Sequence, residues 1–387
     1  MAIMSAVDVA GSLREVREHE FPIVRECTYL NGASQGPWPT RTVQAVREVV
    51  EACQVPHLKP ATSLPPYEQI ARERLARLMG AEPGDIVFTS NTTHGMNIAV
   101  QGIAWREGDN IVLPRREFPS LSYAMLHLKE RGVEVRIVPF LGAGPSVDEL
   151  MAHVDSRTRA VACSAIMWDT GYRADLETLG ARCAARGCLL IVDGIQLVGA
   201  NQVDVRAARV STLATHGYKW LLAGFGVGAL YVAPEAVDQI SPTFIGSQSV
   251  DAPPDTFDGT LNWKPGAARY QAGGGNRIGW AALATSLGLI EEVGIAAIEE
   301  RDRALAEYLY AGLSRKEGVE IVSSPDPAHR AQIIAFTLGS AERDAATVKE
   351  LEEQGIIVAL RPLGLRASPN FYNTEEEVDR LLAALPD

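Results

Sequence analysis

Short apolar runs alternate with stretches of helical periodicity between residues 68 and 235, and this alternation constrains the fold more than any other feature of the chain. Nearly continuous apolar strands separated by helices are typical of a mostly parallel sheet that is covered on both faces. The pattern therefore predicts an α/β domain. Its predicted strands span residues 86–89, 110–113, 133–139, 159–165, 188–193, 210–215 and 229–232, and its predicted helices span 96–105, 121–131 and 176–185.

The rest of the chain indicates a second, smaller unit. A single hydrophobic core rarely grows beyond about 250–300 residues, and this chain has 387. Residues 233–280 are rich in Gly, Pro, Ser and Asp and predict loops, whereas 281–316 show a long helical pattern. Further strands are predicted at 321–322, 333–338 and 356–360, and further helices at 343–354 and 375–384. The predicted division is an N-terminal arm (1–20), a large domain (21–255), bridging loops (256–280) and a small α+β domain (281–387).

Charge and cysteine content narrow the classes of function. The 36 Lys and Arg against 48 Asp and Glu give a net charge of −12, which argues against a nucleic-acid partner, because phosphate binding needs clustered cations. No run of about 18 apolar residues predicts a membrane span, and residues 1–20 lack the pattern of a signal peptide. The five cysteines are odd in number and include no C-x-x-C pair. We therefore expect a cytoplasmic location, with neither a disulfide framework nor a metal site.

Ligands of open parallel sheets bind beyond the carboxyl ends of the strands, so the polar segments that follow the predicted strands are candidates for a site. We expect these segments to converge on one cleft. They are residues 90–95, 115–119, 167–171, 193–196 and 216–219.

Lys219 follows an apolar strand, in the sequence T-H-G-Y-K-W-L-L. A lysine at a strand end is commonly a solvated surface charge. Here Tyr218 and Trp220 flank it and indicate partial burial, and a desolvated amine loses its proton more readily, as an imine-forming lysine must. Asp193 ends the run L-L-I-V-D, 26 residues earlier. It is either a turn former or helix cap, or a buried carboxylate that faces a cationic ring nitrogen.

The segment 90–95, S-N-T-T-H-G, lies between a predicted strand and a helix. Its hydroxyl groups and the free amides of the helix N-terminus could bind a phosphate, whereas simple capping by Asn91 or Thr92 is the alternative. A phosphate site, an aspartate and a lysine are together what pyridoxal phosphate (PLP) requires. The carboxylate keeps the pyridine nitrogen protonated, and the ring then stabilises a carbanion at the substrate Cα.

At this point the sequence resembles a known family. The stretches L-L-I-V-D-G-I-Q-L-V-G-A and H-G-Y-K-W-L-L-A-G-F-G-V-G-A-L-Y-V are similar to those of the class V aminotransferases, which are fold type I PLP enzymes. The motifs Y-L-N-G-A-S-Q-G-P and L-R-A-S-P-N-F-Y-N-T extend the resemblance over about residues 21–385. Members include cysteine desulfurases, isopenicillin N epimerase-like proteins, kynureninase-like lyases and aminotransferases. The resemblance implies a homodimer with its cleft at the subunit interface.

The resemblance also implies roles for single residues. Lys219 corresponds to the lysine that forms the Schiff base with PLP and moves a proton at Cα, and Asp193 to the partner of the pyridine nitrogen. Arg366 corresponds to the arginine that binds the substrate α-carboxylate, with Arg361 as a second cation and Asn31 as a polar residue of the substrate cleft. The other implied cofactor contacts are Gln196 and Trp168 at the ring hydroxyl, Phe118 on the ring face, and Thr92, Thr93, His216 and Tyr218 at the phosphate. Alternatives remain for three residues: a core position for Phe118, a structural role for His216, and an ion pair with Glu376 or Glu377 for Arg366.

Two departures from the family pattern affect the expected chemistry. Cysteine desulfurases carry a nucleophilic cysteine shortly before the carboxylate-binding arginine, but here the region reads I-I-V-A-L-R-P-L-G-L-R, and no cysteine follows Cys188. We therefore expect no persulfide chemistry of that kind. In R-Y-Q-A-G-G-G-N at 269–276, Gly274 stands where relatives have a threonine that reaches the phosphate of the neighbouring subunit.

The expected function is that of a PLP enzyme acting at Cα of an amino acid or related amine through an external aldimine. Transamination comes first, because no special nucleophile is present. β-Elimination or C–S cleavage comes second, and epimerisation third. A module that binds PLP without turnover is the alternative from another class.

Overall fold

A computed structural model describes residues 6–55, 64–251 and 259–386, with side chains from residue 13 onward. Residues 1–5 of the predicted arm, residues 252–258 around the predicted domain boundary, and residue 387 lie outside the described residues. The strands are β1 (Thr28–Tyr29), β2 (Ile86–Thr89), β3 (Asn110–Pro114), β4 (Glu134–Val138), β5 (Thr158–Ser164), β6 (Leu189–Asp193), β7 (Thr212–His216), β8 (Gly228–Val232), β9 (Glu320–Ile321), β10 (Ile334–Thr337), β11 (Ile356–Ile357), β12 (Ala359–Arg361) and β13 (Gly364–Ala367).

Seven of these strands form the central sheet, in the order β2-β8-β7-β6-β5-β3-β4. Strand β8 runs antiparallel to both of its neighbours, and the other pairs in the sheet are parallel. The seven predicted strands are confirmed, with ends that differ by at most about two residues, within the usual uncertainty of strand boundaries. β2, β3 and β5–β8 are almost wholly buried, as their continuous apolar runs predict.

The helices are α1 (Ala6–Glu20), α2 (Thr40–Gln54), α3 (Tyr67–Met79), α4 (Thr92–Gln101), α5 (Pro119–Leu126), α6 (Val147–Met151), α7 (Leu176–Ala185), α8 (Arg277–Val293), α9 (Ile295–Leu313), α10 (Ala341–Glu353) and α11 (Glu375–Ala384). The expectation of one long helical segment over 281–316 is wrong. Gly294, at φ +88°, separates α8 from α9, and the two axes bend by 78° at this point. The bend lets α8 pack on α2 and α3, and its buried residues belong to the core of the central sheet.

A second, four-stranded antiparallel sheet has the order β12-β13-β10-β9, and β1 pairs with β11 in parallel. A smaller hydrophobic cluster lies under this sheet and includes Phe336 and Leu365. Leu30, from the beginning of the chain, also packs in this cluster. The chain segment around residue 30 therefore lies against elements formed by the last fifth of the sequence. The division into four segments stays a proposal.

Together these elements form the predicted α/β fold, with a mostly parallel sheet and a smaller α+β part. No single helix in the described ranges has the length and apolarity needed to cross a bilayer; the bent pair α8 and α9 meets those criteria only when taken together.

Candidate active site

The centre of the site lies at the carboxyl ends of β6 and β7. Asp193 is the last residue of β6, and Lys219 follows β7 by three residues. Both side chains are buried, with exposed fractions of 2% and 6%. The Oδ1 atom of Asp193 accepts a hydrogen bond from the Ile195 N–H at 3.0 Å, whereas Oδ2 is buried without a partner in the described part of the chain. The surface-charge alternative for Lys219 is therefore wrong.

Burial changes the protonation of this pair. It lowers the pKa of Lys219 to about 7, an effect that Asp193 opposes and that Arg366 and Arg361 reinforce. Burial also raises the pKa of Asp193 to about 6, against the hydrogen bond from Ile195 and the charge of Lys219. At pH 8 Lys219 is therefore mostly a neutral amine, and Asp193 is mostly an anion. A neutral amine is nucleophilic, and an anionic carboxylate can hold a cation.

Aromatic residues form a second side of this centre. The Phe118 ring centroid is 5.8 Å from Nζ of Lys219, and the Trp168 ring meets Phe118 edge to face at 5.5 Å. The indole nitrogen of Trp168 donates to the Arg116 carbonyl at 2.9 Å, which fixes its orientation. Phe118 is only half-buried and does not belong to the hydrophobic core, so the core alternative does not hold. Its face remains available to pack on a flat ligand.

The N-terminus of α4 carries the predicted phosphate segment. Asn91 caps the helix by accepting a hydrogen bond from the His94 N–H at 2.8 Å. Thr92 is the first helical residue, and its hydroxyl oxygen is buried with no partner among the described residues. The Thr93 hydroxyl donates to Ser120 at 2.8 Å, which joins this segment to the start of α5. Capping by Asn91 leaves the Thr92 hydroxyl and the helix dipole available for an anion.

His216 and Tyr218 contact each other edge to face at 4.6 Å, and Tyr218 stacks on Phe225 at 4.8 Å. Burial, with a smaller effect of Lys219, lowers the pKa of His216 to about 4, so its ring is neutral at physiological pH. Its Nε2 atom is buried and has no partner in the described ranges. A satisfied structural histidine would have both ring nitrogens paired, so the free nitrogen favours contact with a ligand.

Gln196 has fewer free polar groups than the resemblance implies. Its Oε1 atom accepts a hydrogen bond from the Trp220 indole at 2.7 Å, and its Nε2 atom donates to the Ala33 carbonyl at 3.1 Å. One amide hydrogen remains for a ring hydroxyl. Contact with that hydroxyl therefore stays a prediction for Gln196, as it does for Trp168.

Arg366 lies on β13 with an exposed fraction of only 1%. Its Nη1 and Nη2 atoms donate to the Trp168 carbonyl at 2.5 Å and to the Ser34 hydroxyl at 2.7 Å, and Nε is buried without a partner among the described residues. Burial, then the charge of Arg361, lowers its pKa to about 9. The alternative of an ion pair with Glu376 or Glu377 is not found in the part of the chain that is described. A buried guanidinium without a carboxylate partner is suited to a ligand carboxylate.

Ser34 brings the two arginines together, because its hydroxyl oxygen also accepts a hydrogen bond from Nη2 of Arg361 at 2.7 Å. Sequence reasoning missed Ser34, although it lies in the motif Y-L-N-G-A-S-Q-G-P that carries the family resemblance. Asn31 is in the same motif, and its Oδ1 atom is buried with no partner in residues 6–55, 64–251 or 259–386. The predicted substrate residues thus lie close together, because the Asn31 carbonyl also accepts a hydrogen bond from the Ser34 N–H at 3.0 Å.

Gly274 lies apart from these contacts. It is exposed, and a Cβ atom added to it would have no neighbour within 4 Å. The nearby Asn276 caps α8 by accepting from the Gly279 N–H at 2.9 Å, and it donates to the Gly226 carbonyl at 3.0 Å. The role of Gly274 at a neighbouring subunit's phosphate stays a prediction.

The free polar atoms of the site fit PLP. The unpaired Asp193 oxygen can accept from a protonated ring nitrogen, the Thr92 hydroxyl and His216 Nε2 can contact a phosphate, and Lys219 supplies the amine. Phe118 offers an aromatic face beside that amine. The five strand-end segments are therefore brought to one place, and the fold and site together define a fold type I PLP enzyme.

Comparison with known proteins identifies the family. The sequence model described as "Aminotransferase class-V" matches residues 29–381, and the chain belongs to this family. A probable cysteine desulfurase of Methanothermobacter thermautotrophicus is 31% identical over 94% of each protein. An isopenicillin N epimerase of Streptomyces clavuligerus is 30% identical over 81% of this chain and 83% of its own. The solved complex of the cystine C–S lyase C-DES with cysteine persulfide has a TM-score of 0.86 at 27% identity, and covers 94% of this chain and 98% of its own.

Proposed function

We propose that this enzyme removes the Cα proton of an α-amino acid, with Lys219 as the proton carrier and Arg366 as the binding group for the α-carboxylate. The observation that carries the proposal is the buried Lys219 amine near Asp193 and near two arginines that have no carboxylate partner in the described ranges. PLP, when bound, withdraws electrons from Cα and stabilises negative charge there.

The proton affinity of Lys219 depends on the nearby charges and therefore changes when a substrate carboxylate binds. Arg366 and Arg361 lower the pKa of Lys219 before a substrate is present. A substrate carboxylate that pairs with Arg366 offsets part of this positive charge, and the pKa of the amine then rises. Substrate binding therefore favours proton uptake by Lys219 from Cα. When PLP is bound, Asp193 would hold positive charge at its ring nitrogen.

Transamination is the first outcome that we propose for this proton transfer. It requires a mobile proton carrier and a carboxylate-binding group, but no nucleophile beyond the lysine. Since the last cysteine in the sequence is Cys188, no thiol lies on the short β12–β13 hairpin. Desulfuration through a protein persulfide on that hairpin is therefore not proposed.

β-Elimination, including C–S cleavage, is the second candidate. It also needs no thiol on the protein, because the leaving group departs from Cβ once Cα has lost its proton. The similarity to the cystine C–S lyase over nearly the whole chain favours it. Epimerisation comes third, because it needs proton transfer on both faces of Cα and Lys219 supplies one of them.

An amino-acid screen of the purified, PLP-loaded protein distinguishes these outcomes. Transamination yields more than one equivalent of keto acid per cofactor only when a keto acid is added to accept the amino group, elimination yields a keto acid with ammonia, and epimerisation yields the inverted amino acid. Lys219→Ala should abolish each of them while retaining PLP without a covalent bond. A cofactor absorbance band that no amine changes would instead indicate a module that binds PLP without turnover, and the proposal would then be wrong.

We also propose that the enzyme is a homodimer in the cytoplasm. The aromatic side chain of Phe225 is 61% exposed although it stacks on Tyr218 at the site, which suits burial against a second copy. The five cysteines form no disulfide in the described structure, as suits a reducing compartment. Size-exclusion chromatography with light scattering measures the molar mass of the active protein and so tests the dimer. A monomeric mass would contradict it.

A further inference from the structure

Glu117 is a buried acidic residue that the proposed reaction does not use. Its exposed fraction is 8%, and both of its carboxylate oxygens accept hydrogen bonds from one residue, Ser164. The Ser164 N–H donates to Oε1 at 2.7 Å, and the Ser164 hydroxyl donates to Oε2 at 2.5 Å. Two short bonds to the same residue fix the loop after β3 on the carboxyl end of β5.

This attachment joins two residues that face the cofactor. Ser164 is the register partner of Asp193 on the neighbouring parallel strand, so the two side chains project from the same face of the sheet. The next backbone amide, that of Ala165, donates to the Asp193 carbonyl at 2.9 Å. On the other side, Glu117 directly precedes Phe118, whose ring lies 5.8 Å from Nζ of Lys219. Glu117 therefore sets the position of Phe118 relative to Asp193.

Glu117 is also surrounded by acidic groups and has no cation paired with it in the described ranges. The titratable groups that face it are Asp193 on β6, Asp169 in the loop after β5 and the thiol of Cys163 on β5. Burial raises the pKa of Glu117 to about 7 against the two bonds from Ser164, and the charges of Asp193 and Asp169 raise it further. Asp169 has Arg116 at 3.6 Å, but Glu117 has no ion pair within the described ranges.

A buried carboxylate without a cation is costly, and a purely structural clamp would not need the charge. A glutamine at 117 could accept from the Ser164 N–H through its oxygen and donate to the Ser164 hydroxyl through its amide. A protonated ring nitrogen held by Asp193 would place a cation near Glu117, which has no ion pair of its own in the described ranges, whereas Asp169 already has Arg116. We propose that Glu117 is a positioning residue for the cofactor, which fixes Phe118 against Asp193 and adds its negative charge to the field that keeps the bound cofactor protonated.

Two variants separate position from charge. Glu117→Gln retains the contacts with Ser164 and removes the charge, whereas Glu117→Ala removes both. Dissociation of PLP is measured by equilibrium dialysis of each holoenzyme. The absorbance band of the cofactor bound to Lys219 is titrated with pH. Glu130→Gln, with a side chain that is 76% exposed, is the control and should change neither quantity.

For Glu117→Gln we expect nearly unchanged PLP affinity, together with a fall of about half a unit or more in the apparent pKa of the band, because a nearby negative charge stabilises a protonated chromophore. For Glu117→Ala we expect the same fall and PLP binding that is weaker by about tenfold or more. An unchanged or raised band pKa in Glu117→Gln would overturn the role of the charge, even if the alanine variant fails to fold. Unchanged PLP affinity in a folded Glu117→Ala variant would overturn the positioning role.

Discussion

Gly36 packs directly on the main-chain carbonyl of Lys219. A Cβ atom on Gly36 would overlap the Lys219 carbonyl oxygen and would also meet Leu222 at 2.7 Å. The Gly36 N–H donates to the Tyr218 carbonyl at 2.8 Å. The segment around Gly36 therefore holds the loop of Lys219 from outside, at a separation that only glycine permits.

We expect Gly36→Ala to destabilise the protein by about 1–3 kcal/mol, the usual cost of overpacking, and to weaken PLP binding because the Lys219 loop must move. Urea unfolding and equilibrium dialysis measure the two effects. Gly84→Ala is the matched control, because a Cβ atom at Gly84 meets nothing within 4 Å. Equal behaviour of the two variants would show that this contact does not support the site.

The lowered pKa of Lys219 predicts the pH dependence of cofactor attachment. A pKa of about 7 means that the amine is neutral above that pH, whereas an ordinary lysine stays protonated up to about 10.4. The rate at which apoprotein and PLP form the covalent absorbance band should rise as the pH approaches 7 and then level off. Non-covalent PLP binding by Lys219→Ala corrects for titration of the phosphate. A rate that continues to rise to pH 10 would contradict the lowered pKa.

The two arginines of the cleft should not contribute equally. Arg366 is fully buried, and its Nε has no partner in the part of the chain that is described, whereas Arg361 is half-buried and donates with Nη1 to the Leu360 carbonyl beside it. Loss of a charged hydrogen bond costs about 1.5–3 kcal/mol, so Arg366→Ala should raise KM by about 10- to 150-fold with a smaller effect on kcat. We expect a smaller rise in KM for Arg361→Ala. Steady-state kinetics give the KM of each variant for one amino acid and for its decarboxylated amine. Only the KM for the amino acid should rise.

A buried hydrogen bond orients Gln196. Trp220→Phe removes the indole donor and leaves the buried Gln196 oxygen unpaired, which we expect to cost about 1–3 kcal/mol. Tyr308→Phe removes the hydrogen bond to Asp379 on an exposed surface and should cost much less. Urea unfolding compares the two variants. A similar loss in both would mean that the Gln196 bond contributes little to the folded state.

The sequence predicted those parts of the fold that depend on local apolar pattern. β5 and β6 are continuous apolar runs, and their positions were predicted within one residue. α2 was missed, although its buried positions Thr42, Ala45, Val49 and Ala52 recur at helical spacing. β13 was missed because its four residues, G-L-R-A, include a buried arginine. A single glycine within an apolar helical pattern is commonly tolerated, so the break at Gly294 gave no clear signal.

Site residues were predictable from the sequence where a single functional side chain lies at or just after the carboxyl end of a strand. Lys219 and Asp193 are such residues, and the structure brings them together as expected. Contacts across the chain were not predictable, because the Ser34 hydroxyl meets Arg366 over a separation of 332 residues. Glu117 was missed for a related reason. In R-R-E-F-P it has the local pattern of a solvated loop residue, and only the neighbouring strand β5 makes it a buried one.

The contact between Ser34 and Arg366 has a consequence for biosynthesis. A ribosome makes Ser34 332 residues before Arg366, so the nascent chain holds only half of the proposed carboxylate-binding wall while those residues are added. The central sheet can collapse earlier, because its last strand, β8, ends at Val232. The nascent enzyme can therefore gather the groups proposed to hold the vitamin B6 cofactor before it completes the groups proposed to select an amino acid.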